Sequence, residues 1–166
     1  GIMSVKKHIV DTMKRLYNNK YISIRDGNVS FKPKNENYFY ISAGSVKKNE
    51  INEDQIIKVD FNNNKLVYDE NYKYQPSREI HMHSLLQTHK PNFDKDTFVI
   101  HAHPPNIISY IGLNMSNELD TIKNIFPELN VGKIGKNVKY HAAGSMDLAN
   151  DCYNKLLNND IVGLER

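Results

Sequence analysis

Apolar positions recur at helical spacing near the start of the chain and then change period. Ile9, Val10, Met13, Leu16 and Tyr17 form one stripe, with Ser4 placed to cap a helix and Asn18-Asn19 placed to end it. After a turn signal at Arg25-Asp26-Gly27-Asn28 the pattern becomes that of strands. Val29-Ser30-Phe31 and Tyr38-Phe39-Tyr40-Ile41 read as a hairpin turning at Asn35-Glu36-Asn37. Ser42-Ala43-Gly44-Ser45 reads as a loop and Asn52-Glu53-Asp54 as a short helical turn. Ile56–Asp60 and Lys65–Tyr68 form a second hairpin around Asn62-Asn63-Asn64. Pro76-Ser77 signals a helix from Glu79 to Thr88. Thr97 to His103 reads as a buried strand stopped by Pro104-Pro105. The pattern then predicts a helix over Asn106–Leu113 with Ile107, Ile108 and Ile111 inward, and a short helix over Asn117–Ile125. A strand at Val138–Tyr140, a helix from Ser145 to Leu157 and a final strand at Ile161–Leu164 complete it. Early hairpins followed by alternating helices and strands predict an α/β domain with helices packed on a mixed sheet.

Composition narrows the function classes. The chain of 166 residues suits one domain, expected to span residues 1–166. Hydrophobic residues make up 39% and charged residues 25%, as in ordinary soluble globular proteins. The net charge of +3 is mild and dispersed, and no basic block is interleaved with aromatics, which argues against nucleic acid. A small positive excess suits an anionic metabolite. The single cysteine, Cys152, excludes a disulfide-stapled secreted fold and reads as a packing residue in a helix. No signal peptide and no bilayer-length apolar run stand in the sequence, so a cytoplasmic protein without a membrane partner is expected.

Three constellations carry chemistry. In Val99-Ile100-His101-Ala102-His103-Pro104 the two histidines are two apart on a strand and project to one side. Two imidazoles on one face can chelate zinc or another divalent ion, and burying them unpaired would be costly. The proline pair places them at the strand's C-terminal tip, where sites of open α/β sheets gather. In Pro76-Ser77-Arg78-Glu79-Ile80-His81-Met82-His83, Glu79 and His83 share a helix face and Glu79 falls in the first turn. Near a metal Glu79 could serve as a general base; otherwise it is a capping carboxylate with two surface histidines. Gly27-Asn28-Val29-Ser30 and Ser42-Ala43-Gly44-Ser45 offer exposed backbone N–H groups and side-chain donors suited to phosphate oxygens, with Ser77 as a further donor. His8, His89 and His141 read as surface or loop residues.

Taken in order, these motifs resemble the class II aldolase/adducin family. Gly27-Asn28-Val29-Ser30, Ile41-Ser42-Ala43-Gly44-Ser45, Ser77-Arg78-Glu79 and His101-Ala102-His103 follow the family's sequence of motifs, and Gly144-Ser145 with Leu148-Ala149 resembles its late helix start. The resemblance implies a three-layer αβα sandwich with a central mixed, largely antiparallel sheet. It implies Zn2+, or another divalent metal ion, on His101 and His103; Glu79 as the catalytic acid/base; and Gly27, Asn28, Gly44, Ser45 and Ser77 around a substrate phosphate. The implied activity is a lyase cleaving a ketose 1-phosphate to dihydroxyacetone phosphate and an aldehyde, as fuculose-1-phosphate aldolases do. The implied assembly is a homotetramer.

Three departures accompany the resemblance. The family's third histidine ligand follows a strand like Ile161–Leu164 and has no counterpart before Arg166, so truncation at the C-terminus is expected. Arg78 replaces a serine, and Ala43-Gly44-Ser45 alters the family's Pro-Ser/Thr-Gly loop. Other members of the family are a methylthioribulose-1-phosphate dehydratase and a sugar-phosphate epimerase, against which Glu79 weighs because the epimerase has Asp there. A non-catalytic adducin-like binding module, which lacks the metal site, is the other alternative, and His101, His103 and Glu79 weigh against it.

Overall fold

The computed structural model describes residues 4–90, 93–102, 108–115 and 161–164. Helix α1 spans Val5–Asn18, and the Ser4 side chain accepts from the backbone N–H of Lys7, as its capping position predicts. Its buried residues are Ile9, Val10, Thr12, Met13 and Leu16, so the apolar stripe is the face that docks. Strands β1 (Asn28–Lys32), β2 (Tyr38–Ser42), β3 (Ile56–Asn62) and β4 (Lys65–Val67) follow, then α2 (Ile80–Gln87), β5 (Asp96–Ala102), β6 (Ile108–Met115) and β7 (Ile161–Leu164). They form a seven-stranded sheet in the order β4-β3-β2-β1-β5-β6-β7. Among the described residues every pairing is antiparallel, so the mixed sheet that was expected is antiparallel throughout this part.

Turn chemistry sets the hairpins. Asn63 and Asn64 carry φ of 50° and 63°, the left-handed pair that a two-residue loop between β3 and β4 needs. Asn35, with φ 62°, turns the chain between β1 and β2. Asn52 caps a 3-10 turn at Glu53–Gln55 through its side chain, and Gln55 returns the bond to the Asn52 N–H.

Two expectations are corrected. Asn28 belongs to β1 rather than to the preceding turn. Residues 108–113, expected to be helical, lie in strand β6, which pairs with β5 from Asp96↔Met115 to Ala102↔Ser109. The isoleucine spacing allowed either form, but Ile108, Tyr110 and Ile111 favour extended backbone. The outer edge of β5 also presents backbone donors and acceptors that a paired strand satisfies and a helix does not. The final strand stands where it was expected. The expected elements at 117–125, 138–140 and 145–157, with Cys152 and His141, lie outside the described residues.

The core joins α1 to the sheet: Ile9, Met13 and Leu16 share one apolar cluster with Val29, Phe39, Ile41, Val59 and Ile100. Helix α2 lies instead against β1 and β5, and that contact positions the site.

Candidate functional site

β1 runs antiparallel to β5, which sets Asn28 opposite His101 near the end of β5. Gly27, just before β1, has φ 106°, and a side chain there would come within 2.3 Å of Ile22 and 3.4 Å of the His101 carbonyl. Only glycine fits this approach. Asn28 is 5% exposed and engages two rings at once. Its amide nitrogen lies 3.2 Å from His101 Nδ1, and its amide oxygen accepts from His83 Nε2 at 2.5 Å. Its amide is thus held between two histidines inside the fold.

His83 is fully buried on α2, against the alternative of a surface histidine, whereas His81 is exposed. Burial pushes the His83 pKa down to about 3, so the ring is neutral at physiological pH. Its Nδ1 lies 2.6 Å from Ser30 Oγ, and Gln87 Nε2 donates to Ser30 Oγ and to the Thr97 carbonyl. Ser30 and Asn28 share a strand face by their two-residue spacing, and His83 and Gln87 share a helix face by their four-residue spacing. The helix spacing was the available signal for Gln87, which belongs to no motif, whereas Ser30 stands in Gly27-Asn28-Val29-Ser30 and faces His83 and Gln87 rather than a phosphate.

Glu79 is the N-cap residue of α2 rather than a member of its first turn, and its side chain makes no capping bond. Ser77 Oγ accepts the Glu79 N–H instead, at 3.2 Å. Glu79 is 8% exposed as a residue, and its carboxylate is not spent on the helix end. The loop at Ala43-Gly44-Ser45 meets this helix start. Ala43 bridges Pro76, Ser77 N–H donates to Ser42 O, and a side chain at Gly44 would touch Pro76 O and Ser77 Cα at 3.4 Å. The Gly44 N–H donates to Gln75 O, so it is used within the fold. Ser45 is exposed with φ 59°, the left-handed conformation that a glycine would hold more easily. Arg78 is exposed beside the buried Ser77 and Glu79.

The structure thus brings Gly44 and Ser77 together beside Glu79, and Gly27 and Asn28 together beside His101. Helix α2 joins the two groups, since it begins at Glu79 and reaches Asn28 through His83. Lys48 is a further charged group near the loop. It is 3% exposed, with Nζ donating to Ala43 O at 3.2 Å, and burial lowers its pKa. No sequence signal marked it. His8 is half-buried, and burial lowers its pKa as well; His89 is half-buried.

A divalent cation was expected on His101 and His103. His103 lies outside the described residues, and among the described residues no three His, Cys, Asp or Glu side chains cluster as a metal site. His101 itself fits a ligand's role. It is a buried imidazole with one ring nitrogen anchored by a neighbouring side chain, the support that metal-binding histidines ordinarily have.

The family model described as "Class II Aldolase and Adducin N-terminal domain" matches residues 7–166. A protein of Methanococcus maripaludis named L-fuculose phosphate aldolase is 30% identical over 134 residues, covering 81% of this chain and 66% of its own length. One of the same name from Methanococcus vannielii is 29% identical over 160 residues, covering 96% of this chain and 79% of its own. The chain therefore spans just under two thirds of the first relative. Among solved structures, an L-fuculose 1-phosphate aldolase matches 100% of this chain and 77% of its own, with TM-score 0.65 and 18% identity. A sugar-phosphate aldolase from Thermotoga maritima matches 95% of this chain and 79% of its own, with TM-score 0.65 and 16% identity. At these identities the structural likeness shows the αβα sandwich fold alone.

Proposed function

The chain belongs to the class II aldolase and adducin N-terminal domain family, and from that premise we infer that it is a metal-dependent aldolase-type lyase acting on a ketose 1-phosphate. The relatives named L-fuculose phosphate aldolase support the substrate class. The observation that carries the reading is Glu79, a buried carboxylate at the head of α2 that takes no part in capping it. A carboxylate set in a largely buried residue and not spent on capping is placed to take and return a proton.

In this reading Gly27, Asn28, Gly44, Ser45 and Ser77 surround the phosphate, and the Lys48 ammonium lends positive charge beneath the loop. His101 and His103 hold Zn2+ or a similar ion, which when bound would polarise substrate oxygens and offset developing negative charge. Glu79 moves the proton at the carbon that becomes nucleophilic. The products are dihydroxyacetone phosphate and an aldehyde. The homotetramer and the cytoplasmic setting belong to the same proposal. Among the described residues no helix is long and apolar enough to cross a membrane.

The test is product analysis with the full-length protein, Zn2+ and a panel of ketose 1-phosphates. Dihydroxyacetone phosphate should form, and Glu79→Gln should retain metal while turnover falls about 10²–10⁴-fold. A dehydrated product would move the protein to the dehydratase branch. A fully active Glu79→Gln would remove Glu79 from the chemistry.

A further inference from the structure

We propose that His83 is a positioning residue that selects which ring nitrogen of His101 is presented to a divalent cation, acting through the Asn28 amide, and that cation binding reverses the hydrogen bonds between His101 and Ser30. This rests on the reading of His101 as a metal ligand.

The chain of contacts is continuous and buried. Gln87 Nε2 reaches Ser30 Oγ at 2.9 Å, Ser30 Oγ meets His83 Nδ1, His83 Nε2 meets Asn28 Oδ1, and Asn28 Nδ2 meets His101 Nδ1. Relative exposures are 1% for Gln87, 0% for Ser30 and His83, 5% for Asn28 and 8% for His101. Water therefore offers these groups little substitute partnership, and their donors and acceptors must match one another. Burial holds His83 neutral, so its ring carries one proton and one lone pair.

One direction satisfies every contact as the atoms stand. Gln87 donates to Ser30, Ser30 to His83 Nδ1, His83 Nε2–H to the Asn28 oxygen, and the Asn28 amide N–H to His101 Nδ1. That direction leaves the single proton of a neutral His101 on Nε2. With Nδ1 taken by Asn28, a cation must bind Nε2, and it needs the lone pair there. The His101 proton then belongs on Nδ1, where it faces the Asn28 amide donor. A half-turn of that amide resolves the clash: its oxygen accepts from His101 Nδ1–H and its nitrogen donates to His83 Nε2. His83 then carries its proton on Nδ1 and donates to Ser30, and a half-turn of the Gln87 amide brings its buried, unpartnered Oε1 to accept the Ser30 hydroxyl hydrogen. Each imidazole moves one proton between its own nitrogens, so neither ring changes charge. A ligand's second nitrogen bonded to an oxygen acceptor is the usual support of metal-binding histidines.

The experiment is long-range 1H–15N spectroscopy of histidine-labelled protein, with and without Zn2+, together with Zn2+ affinity by chelator competition. Without Zn2+, both His83 and His101 should be Nε2–H tautomers; with Zn2+, both should be Nδ1–H. His83→Phe should weaken Zn2+ about 10–100-fold. His83→Gln, whose amide both donates and accepts, should recover part of that loss. If His83→Phe does not fold, the tautomer shift in the unaltered protein decides alone. A His101 ring that shifts on Zn2+ binding while His83 keeps its tautomer overturns the relay and leaves the metal reading standing. Unchanged Zn2+ affinity in His101→Ala overturns the metal reading itself.

Discussion

Helices α1 and α2 bury the same kind of stripe and fill it with different chemistry. In α1 the buried positions include Ile9, Met13 and Leu16, spaced by four and three. In α2 the positions Glu79, His83, Leu86 and Gln87 follow the same spacing, with Glu79 at the cap. The first stripe is mostly hydrocarbon and docks on β1, β2 and β3; the second sets His83 and Gln87 among Ile80, Met82 and Leu86, and these two polar side chains reach Asn28, Ser30 and Thr97 on β1 and β5. Apolar burial drives folding directly, whereas polar burial is tolerated only where partners are supplied. The comparison teaches that periodicity reports which face is buried and residue type reports what the face is for. α1 assembles the domain, and α2 carries the candidate site.

The largest expected effect lies on the apolar side. Met13→Ala should lower unfolding stability by about 2–5 kcal/mol in a denaturant titration, because it leaves a cavity in the closed cluster. A loss well below that range would show that α1 is not the organising helix.

The polar side should declare itself through pH. His83 has a lowered pKa in the fold and an ordinary one when unfolded, so below pH 6.5 the unfolded chain binds the proton that the native ring refuses. Stability should therefore fall from pH 6.5 toward the folded pKa of about 3. Between pH 7 and pH 5 the loss should be roughly 2 kcal/mol, at about 1.4 kcal/mol per pH unit. His8, also lowered, adds to the same slope. Denaturation midpoints at the two pH values check this, and His83→Gln should remove the steeper part. An unchanged slope in that variant would place the buried proton acceptor elsewhere.

The smallest expected effect is at a helix end. Ser4→Ala should cost about 1 kcal/mol by removing the bond to the Lys7 N–H. Glu79→Ala should leave helix capping intact, since the Glu79 side chain makes no such bond. Equal losses of helicity by circular dichroism would erase the distinction between a capped α1 and an α2 whose first residue is kept for other work.

Much of the fold was legible, and the reasons are local. The α1 stripe, the Ser4 cap, the asparagine turn before β4 and the Pro76-Ser77 helix start all follow from groups within a few residues of one another. The misreading at 108–113 has the opposite cause. Its isoleucines fit either period, and the deciding influence was the edge of β5 waiting for a partner. The site was legible in part. His101, Glu79 and Ser77 stood out by spacing and type, and Ser30 stood within a motif without a role of its own, while Lys48 and Gln87 carried no motif and the depth of His83 had no local signature.

The amino-acid sequence alone determined the period of each early element, the turns between them and the order in which the chemically capable residues arrive, because backbone torsions and capping groups act over a turn or less. Only the tertiary structure decided that Asn28 would bridge two histidines, one 55 residues onward and the other 73. Such a bridge exists because antiparallel pairing of β1 with β5, and the docking of α2 across both, bring distant polar groups where water does not reach, and there each must find its partner in another.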